Sequence, residues 1–130
     1  MRIPAPRFEG IAPPDRRVTL FGAGSGFYLA QIGQFLLANL AEVAANALFS
    51  GEAEHFTRLG PGDSAVAISQ SGETFDTLEM CRVAQRCGAA LTSISNVPNS
   101  SQERMAVHRL RQECGPEISE PLSVTNSCCA

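Results

Sequence analysis

The sequence predicts an α/β protein, a parallel sheet with helices on both faces forming a three-layer α/β/α sandwich. Three observations carry that expectation. Short β-rich runs alternate along the chain with helical patterns, joined by connections of a few residues. A glycine-rich segment, Gly22-Ala23-Gly24-Ser25-Gly26, separates the first run from the longest helical pattern. Finally, Ser64-Ala65-Val66-Ala67-Ile68-Ser69 is a short apolar run bounded by turn signals, the form of a strand buried on both faces of a parallel sheet.

Residues 1–17 hold four of the eight prolines, a density that excludes a regular helix or central strand, and they read as a lead-in. Arg17-Val18-Thr19-Leu20-Phe21-Gly22 is the first strand. In the helix that follows, Leu29, Ile32, Leu36, Leu40 and Val43 recur at spacings of 3, 4, 4 and 3, which predicts an apolar stripe laid on the sheet. Residues 44–56 give weaker signals, a short strand near Ala47-Leu48-Phe49 and then a helical turn over 52–56. Pro61-Gly62-Asp63 is a turn, and residues 64–69 form the next strand. Residues 74–87 read as a helix closed by Gly88, a residue common just past helix ends. A strand over 89–95, a loop over 96–100 and a brief helix over 101–105 come next. Val107-His108-Arg109-Leu110-Arg111 alternates in polarity and suits an edge strand.

Composition narrows the function classes. At 130 residues, 44% hydrophobic and 18% charged, the chain has the size and balance of one globular domain. It has no apolar run near the roughly 18 residues a membrane span needs, and no charged segment leading into an apolar one at its start. A cytoplasmic protein is the expectation. Ten basic against 13 acidic residues, net charge −3, supply no electrostatic footprint for nucleic acid. All 10 basic residues are Arg, so Schiff-base chemistry and Lys-dependent phosphate loops are excluded for this chain acting alone. The five cysteines, Cys81, Cys87, Cys114, Cys128 and Cys129, are odd in number and form no CxxC pair, so no metal is expected; as a separate expectation, the chain uses no cofactor. Cys81 and Cys87 read as small apolar packing residues of a helix.

Two loops at strand ends have the composition of a ligand site. Gly22, Gly24 and Gly26 match a fragment of a dinucleotide fingerprint, but no acidic residue follows a clear second strand about 20 residues on; the alternative is that the glycines let the chain turn sharply into the helix. The second loop, Ser69-Gln70-Ser71-Gly72-Glu73-Thr74, runs from a buried strand into a helix. Backbone N–H groups at a helix N-terminus lack partners and carry the positive end of the helix dipole, so an anion such as phosphate is stabilised there without a cationic side chain. Ser and Thr hydroxyls add donors. The competing reading is that Ser71 or Thr74 simply caps the helix, with Glu73 and Asp76 complementing the dipole.

The segments Gly24-Ser25-Gly26, Ile68-Ser69-Gln70-Ser71-Gly72-Glu73-Thr74-Phe75-Asp76-Thr77-Leu78, Ser95-Asn96-Val97-Pro98-Asn99-Ser100-Ser101 and Gly115-Pro116-Glu117-Ile118 together resemble the sugar isomerase (SIS) domain. More narrowly, they resemble the first such domain in the isomerase half of the glucosamine-6-phosphate synthases. The resemblance spans residues 18–127, leaving 128–130 as a tail. It implies a five-stranded parallel sheet and a phosphosugar site in which Ser69, Gln70, Ser71 and Thr74 hold the phosphate while Gly24, Ser25 and Gly26 border the sugar.

Two functions follow from the resemblance. One is a component of a sugar-phosphate isomerase or isomerising aminotransferase acting on hexose or amino-sugar phosphates. The other is a non-catalytic module that senses a phosphosugar. The implied partners are the sugar phosphate and either a second copy of the chain or a second SIS domain, the apolar helix around 27–43 being the surface to hide. The family pattern has Thr-Ser where this chain has Ser25-Gly26, a small apolar residue where it has Glu120, and Lys where it has Val124. Isomerisation needs a base to move a proton between adjacent carbons. Glu54, His55 and Glu120 are the candidates, and His108 reads as a solvated surface residue.

Overall fold

A computed structural model describes residues 17–114. Nine elements alternate: β1 (Val18–Gly22), α1 (Ser25–Leu40), β2 (Ala45–Phe49), α2 (Ala53–Phe56), β3 (Ser64–Ile68), α3 (Phe75–Arg86), β4 (Ala90–Ser95), α4 (Ser101–Met105) and β5 (His108–Arg111). The five strands form one sheet in the order β2-β1-β3-β4-β5, with every neighbouring pair parallel. The expected α/β class and five-stranded parallel sheet are therefore present. The expected Gly115-Pro116-Glu117-Ile118 motif, Glu120, Val124, Cys128 and Cys129 lie outside the described residues.

Because side chains alternate across a strand, each central strand feeds two cores. Val18 and Leu20 of β1 and Val66 and Ile68 of β3 pack with Leu29 and Ala30 of α1. Phe21, Ala65 and Ala67 pack on the opposite face with Met80, Cys81 and Ala84 of α3. Both faces are thus covered, which explains why β3 reads as a continuous small-apolar run. Burial among these apolar neighbours pushes the Cys81 thiol up to about 12, so this cysteine is an inert packing residue. Gly88 ends α3 as expected, with φ +77 and its N–H on the Gln85 carbonyl.

The stripe expected to lay α1 on the sheet is corrected by the structure. Of its five residues only Leu29 and Val43 are buried, and Val43 lies beyond the helix end at Leu40. Ile32, Leu36 and Leu40 are exposed. Small residues meet the sheet instead: Gly26 and Ala30 are buried, and a Cβ on Gly33 would lie 2.8 Å from Leu20 Cδ2. At Gly26 and Gly33 the helix backbone approaches the sheet so closely that a side chain has no room, and Leu29 and Leu37 pack beside these points. At the β2 edge, the Ala47 N–H donates to Gln34 Oε1 of α1 at 3.1 Å, which satisfies a donor that an edge strand leaves open.

The far side of the sheet is tied by one ion pair. The Glu103 carboxylate, almost fully buried, accepts two bonds from Arg111 at 2.6 and 3.2 Å and one from the Asn99 N–H at 2.6 Å. The Arg111 guanidinium, helped by the Asn99 N–H, holds the Glu103 carboxyl below the usual carboxylate range despite its burial. A depressed folded-state pKa contributes stability that is present above the unfolded carboxyl's pKa and is lost as pH falls through the folded value. Arg111→Met is therefore expected to destabilise the domain at neutral pH, with the gap to wild type closing below about pH 4. Urea unfolding at pH 7 and pH 3 measures this. A gap that is equal at both pH values would show that the pair contributes no pH-linked stability.

Candidate functional site

In a doubly wound sheet, ligands bind beyond the carboxyl ends of the strands, where successive helices leave for opposite faces. Here that point lies between β1 and β3, which are adjacent and whose following helices, α1 and α3, pack on opposite faces. From β1 the chain passes through Ala23 and Gly24 into α1. From β3 it passes through residues 69–74 into α3.

Glycines set the first of these exits. A Cβ on Gly22 would lie 2.5 Å from the Gly26 carbonyl carbon and 2.8 Å from the Ile68 oxygen, and one on Gly26 would lie 2.6 Å from the same Ile68 oxygen. Gly24, the N-cap of α1, has φ +56. The first turn of α1 therefore sits against the end of β3, directly before Ser69, with Ser25 half-buried beside it. Close backbone packing accounts for the glycine spacing, and the two loops expected to form the site meet at Ile68.

Within the second exit the hydroxyls cluster. Ser69 Oγ lies 3.0 Å from Thr74 Oγ1 and accepts the Gly72 N–H at 3.2 Å, while Ser71 Oγ accepts the Glu73 N–H at 3.2 Å. Ser69 is buried; Gln70, Ser71 and Thr74 are half-buried. Thr74 is the N-cap of α3, yet its side chain makes no bond to the helix, and Ser71 bonds a residue that precedes it. Neither hydroxyl caps α3; both make hydrogen bonds within the loop itself. Thr74 leaves the first-turn N–H groups of α3 without the side-chain acceptor a Ser or Thr N-cap usually supplies.

Glu73 does not compete for this position. Its Oε1 accepts the Ser101 N–H at 2.7 Å. That bond, with the Ser101 side chain and Arg104 beside it, holds the Glu73 carboxyl below its ordinary range. Its charge is directed at α4.

Sequence reasoning missed what holds the loop in place. The Gln70 carbonyl accepts the Asn96 N–H at 3.0 Å, and the Gly72 carbonyl accepts the Gln102 N–H at 3.1 Å. Gln102 is fully buried, and its amide donates to the Ala67 carbonyl at 3.1 Å, to Ser93 Oγ at 2.8 Å and to the Ile94 carbonyl at 3.3 Å. It stitches α4 to β3 and β4 directly beneath the loop. A glutamine at the second position of a short helix carries no sequence signal for this role. The Ser100-x-x-Glu103 spacing does carry one, for a helix start, and Ser100 Oγ accepts the Glu103 N–H at 3.3 Å.

The candidate acid and base residues Glu54 and His55 are elsewhere. Glu54 and His55 are exposed on α2 and line an open cleft of about 220 Å³ with Asp76 and Glu79 of α3. Three carboxylates make that cleft a poor seat for a phosphate. Glu120 falls outside the described residues. His108 is exposed on the edge strand β5, as expected. Among the described residues no group of three His, Cys, Asp or Glu side chains is placed to hold a metal ion, and no helix is long and apolar enough to cross a membrane.

Fold and loop define a class: doubly wound α/β domains that present a hydroxyl-bearing loop at the switch point of the sheet. The model of the SIS domain family matches residues 11–130. The chain belongs to that family. It is 34% identical over 113 residues to the glutamine–fructose-6-phosphate aminotransferase (isomerizing) of Aeropyrum pernix, covering 86% of this chain and 18% of that protein. Among solved structures, the C-terminal domain of glucosamine-fructose-6-phosphate aminotransferase from Francisella tularensis superposes with a TM-score of 0.82 at 25% identity, over 88% of this chain and 33% of that one. A Listeria monocytogenes structure described as a candidate sugar-phosphate isomerase shares the fold with a TM-score of 0.74 at 19% identity, over 92% of this chain and 65% of that one. The chain thus spans about a fifth of the Aeropyrum relative's length.

Proposed function

We propose that this domain binds a hexose or amino-sugar phosphate, with the phosphate held by Ser69, Gln70, Ser71, Thr74 and the N-terminus of α3, and the sugar bordered by Gly24, Ser25 and Gly26. The observation that carries this reading is the α3 N-cap: its threonine hydroxyl is turned to Ser69 rather than to the helix. The kinship with aminotransferases named for fructose 6-phosphate supports the ligand class. On this reading the domain serves as the phosphosugar-binding component of a sugar-phosphate isomerase or isomerising aminotransferase. Its own role is positioning, because the Glu73 carboxylate is engaged by Ser101 and Glu54 and His55 face the separate acidic cleft.

Calorimetric titration with fructose 6-phosphate and glucosamine 6-phosphate tests the reading. Ser71→Ala and Thr74→Ala are each expected to weaken binding about tenfold or more, since a hydrogen bond to a charged ligand contributes roughly 1.5–3 kcal/mol. Affinity unchanged in both variants would remove the phosphate from this loop. Absence of heat with either sugar phosphate would remove the ligand class.

A further inference from the structure

We infer that Ser95 and Gln102 form a buried binding site for a single water molecule, enclosed between β4 and α4 beneath the Gly72 turn, and that this water joins the two elements on which residues 69–74 rest. The inference is independent of which ligand the loop takes.

Two polar atoms carry it. Ser95 and Gln102 are both fully buried, and Ser95 Oγ and Gln102 Oε1 make no hydrogen bond within the protein. Burial takes a polar atom out of bulk solvent, so an unpaired one is costly, and buried polar atoms ordinarily have a protein or water partner. The orientation of the Gln102 amide is fixed by its neighbours. Its Nε2 lies 3.1 Å from the Ala67 carbonyl oxygen and 3.3 Å from that of Ile94, and both of these only accept. Turning the amide over would set Oε1 against the two carbonyls. Gln102 Oε1 therefore remains an acceptor in need of a donor.

Both residues lie under the same turn. Gln102 Nε2 is 2.8 Å from Ser93 Oγ, and Ser93 and Ser95, two residues apart on β4, share a face of the sheet. The Gln102 N–H donates to the Gly72 carbonyl at 3.1 Å, and Ser95 Cβ is 3.5 Å from the position a Cβ on Gly72 would take. Ser100, also buried, flanks that position from the α4 side. The chemistry selects water as the occupant. Gln102 Oε1 requires a donor, Ser95 Oγ can give or take a hydrogen bond, and one water serves both. A cation would lack a countercharge, because the carboxylate of the adjacent Glu103 is engaged by Arg111 and the Asn99 N–H. Full burial of Ser95 and Gln102 keeps larger solutes out.

A high-resolution crystal structure of the full 130-residue chain tests the site, with water magnetic relaxation dispersion counting long-lived internal waters in solution. The expected result is one water at about 2.7–3.0 Å from both Ser95 Oγ and Gln102 Oε1. Ser95→Val, which puts methyl groups where the hydroxyl stood, should show one long-lived water fewer. Ser95→Ala removes the hydroxyl without adding bulk, and it is expected to speed amide exchange at Gln102, whose N–H is on the Gly72 carbonyl, roughly tenfold. A Ser95 hydroxyl bonded directly to Gln102 Oε1 overturns the site, as does an absence of density between the two atoms. A water in place with Gln102 exchange unchanged in Ser95→Ala overturns its part in supporting the loop. Where Ser95→Val fails to fold, the wild-type density decides alone.

Discussion

Gly22→Ala is expected to destabilise the domain by about 2–4 kcal/mol, a large share of the 5–15 kcal/mol typical of a domain. The reason is the nature of the atoms an added methyl would meet. Its carbon would lie 2.5 Å from the Gly26 carbonyl carbon, 2.7 Å from the Gly26 oxygen and 2.8 Å from the Ile68 oxygen. All three are backbone, so no side chain can rotate away. Relief requires pulling the first turn of α1 off the ends of β1 and β3, which opens the core of Leu29, Ala30, Val66 and Ile68. Gly60→Ala is the matched control, because the nearest atom to its Cβ would be Asp63 Oδ2 at 3.9 Å. It should be neutral or stabilise by up to about 1 kcal/mol through the unfolded chain. Urea unfolding of the two variants decides the matter; equal midpoints would show that the close approach at Gly22 carries no energetic weight.

Gly72→Ala is expected to weaken phosphosugar binding about 100-fold, more than the loss of any one hydroxyl, and to cost about 2–3 kcal/mol of stability. Two effects add. Gly72 has φ +66, where a side chain is strained by roughly 1 kcal/mol, and its Cβ would overlap Ser100 Oγ and lie 2.5 Å from Ser100 Cβ. Ser100 cannot yield without releasing the N-cap of α4, and moving Gly72 breaks the Gln102 N–H bond to its carbonyl. The loop that carries Ser69, Ser71 and Thr74 must shift as a unit. Gly24→Ala separates the two effects, since Gly24 has φ +56 but nothing within 4 Å of its Cβ position. In urea unfolding that variant should show the strain alone. Urea unfolding of both variants and calorimetry of Gly72→Ala check this. If Gly72→Ala binds as tightly as wild type, the loop is not held by its contact with Ser100.

The legible parts of the fold were those set by local geometry. The turn of a helix imposes a period on apolar residues whatever the helix later packs against, so α1 was readable, and so were the close of α3 at Gly88 and the brief helix over 101–105. The run Ser64-Ala65-Val66-Ala67-Ile68 announced a strand covered on both sides, because only a two-faced core tolerates five such residues in a row. Of the candidate site, the hydroxyls of Ser69, Ser71 and Thr74 were legible because a helix N-terminus following a strand is a local arrangement. The separation of Glu54 and His55 from that loop was not, since it depends on α2 packing beside α3 across the acidic cleft.

By itself, then, the sequence determined the alternation of strands and helices and the loop that meets the N-terminus of α3. Only the tertiary structure decided which face of α1 is buried, why Gly22, Gly26 and Gly72 must lack side chains, and that Gln102 supports the loop. The physical reason is common to all three. Periodicity reports that a helix has an apolar side, but the distance at which the helix meets the sheet selects the buried face, and that distance is set by Gly26 against Ile68, Gly33 against Leu20 and the small, buried Ala30. A close backbone approach and a buried amide are both relations between segments far apart in the chain. They come into being only when the segments meet.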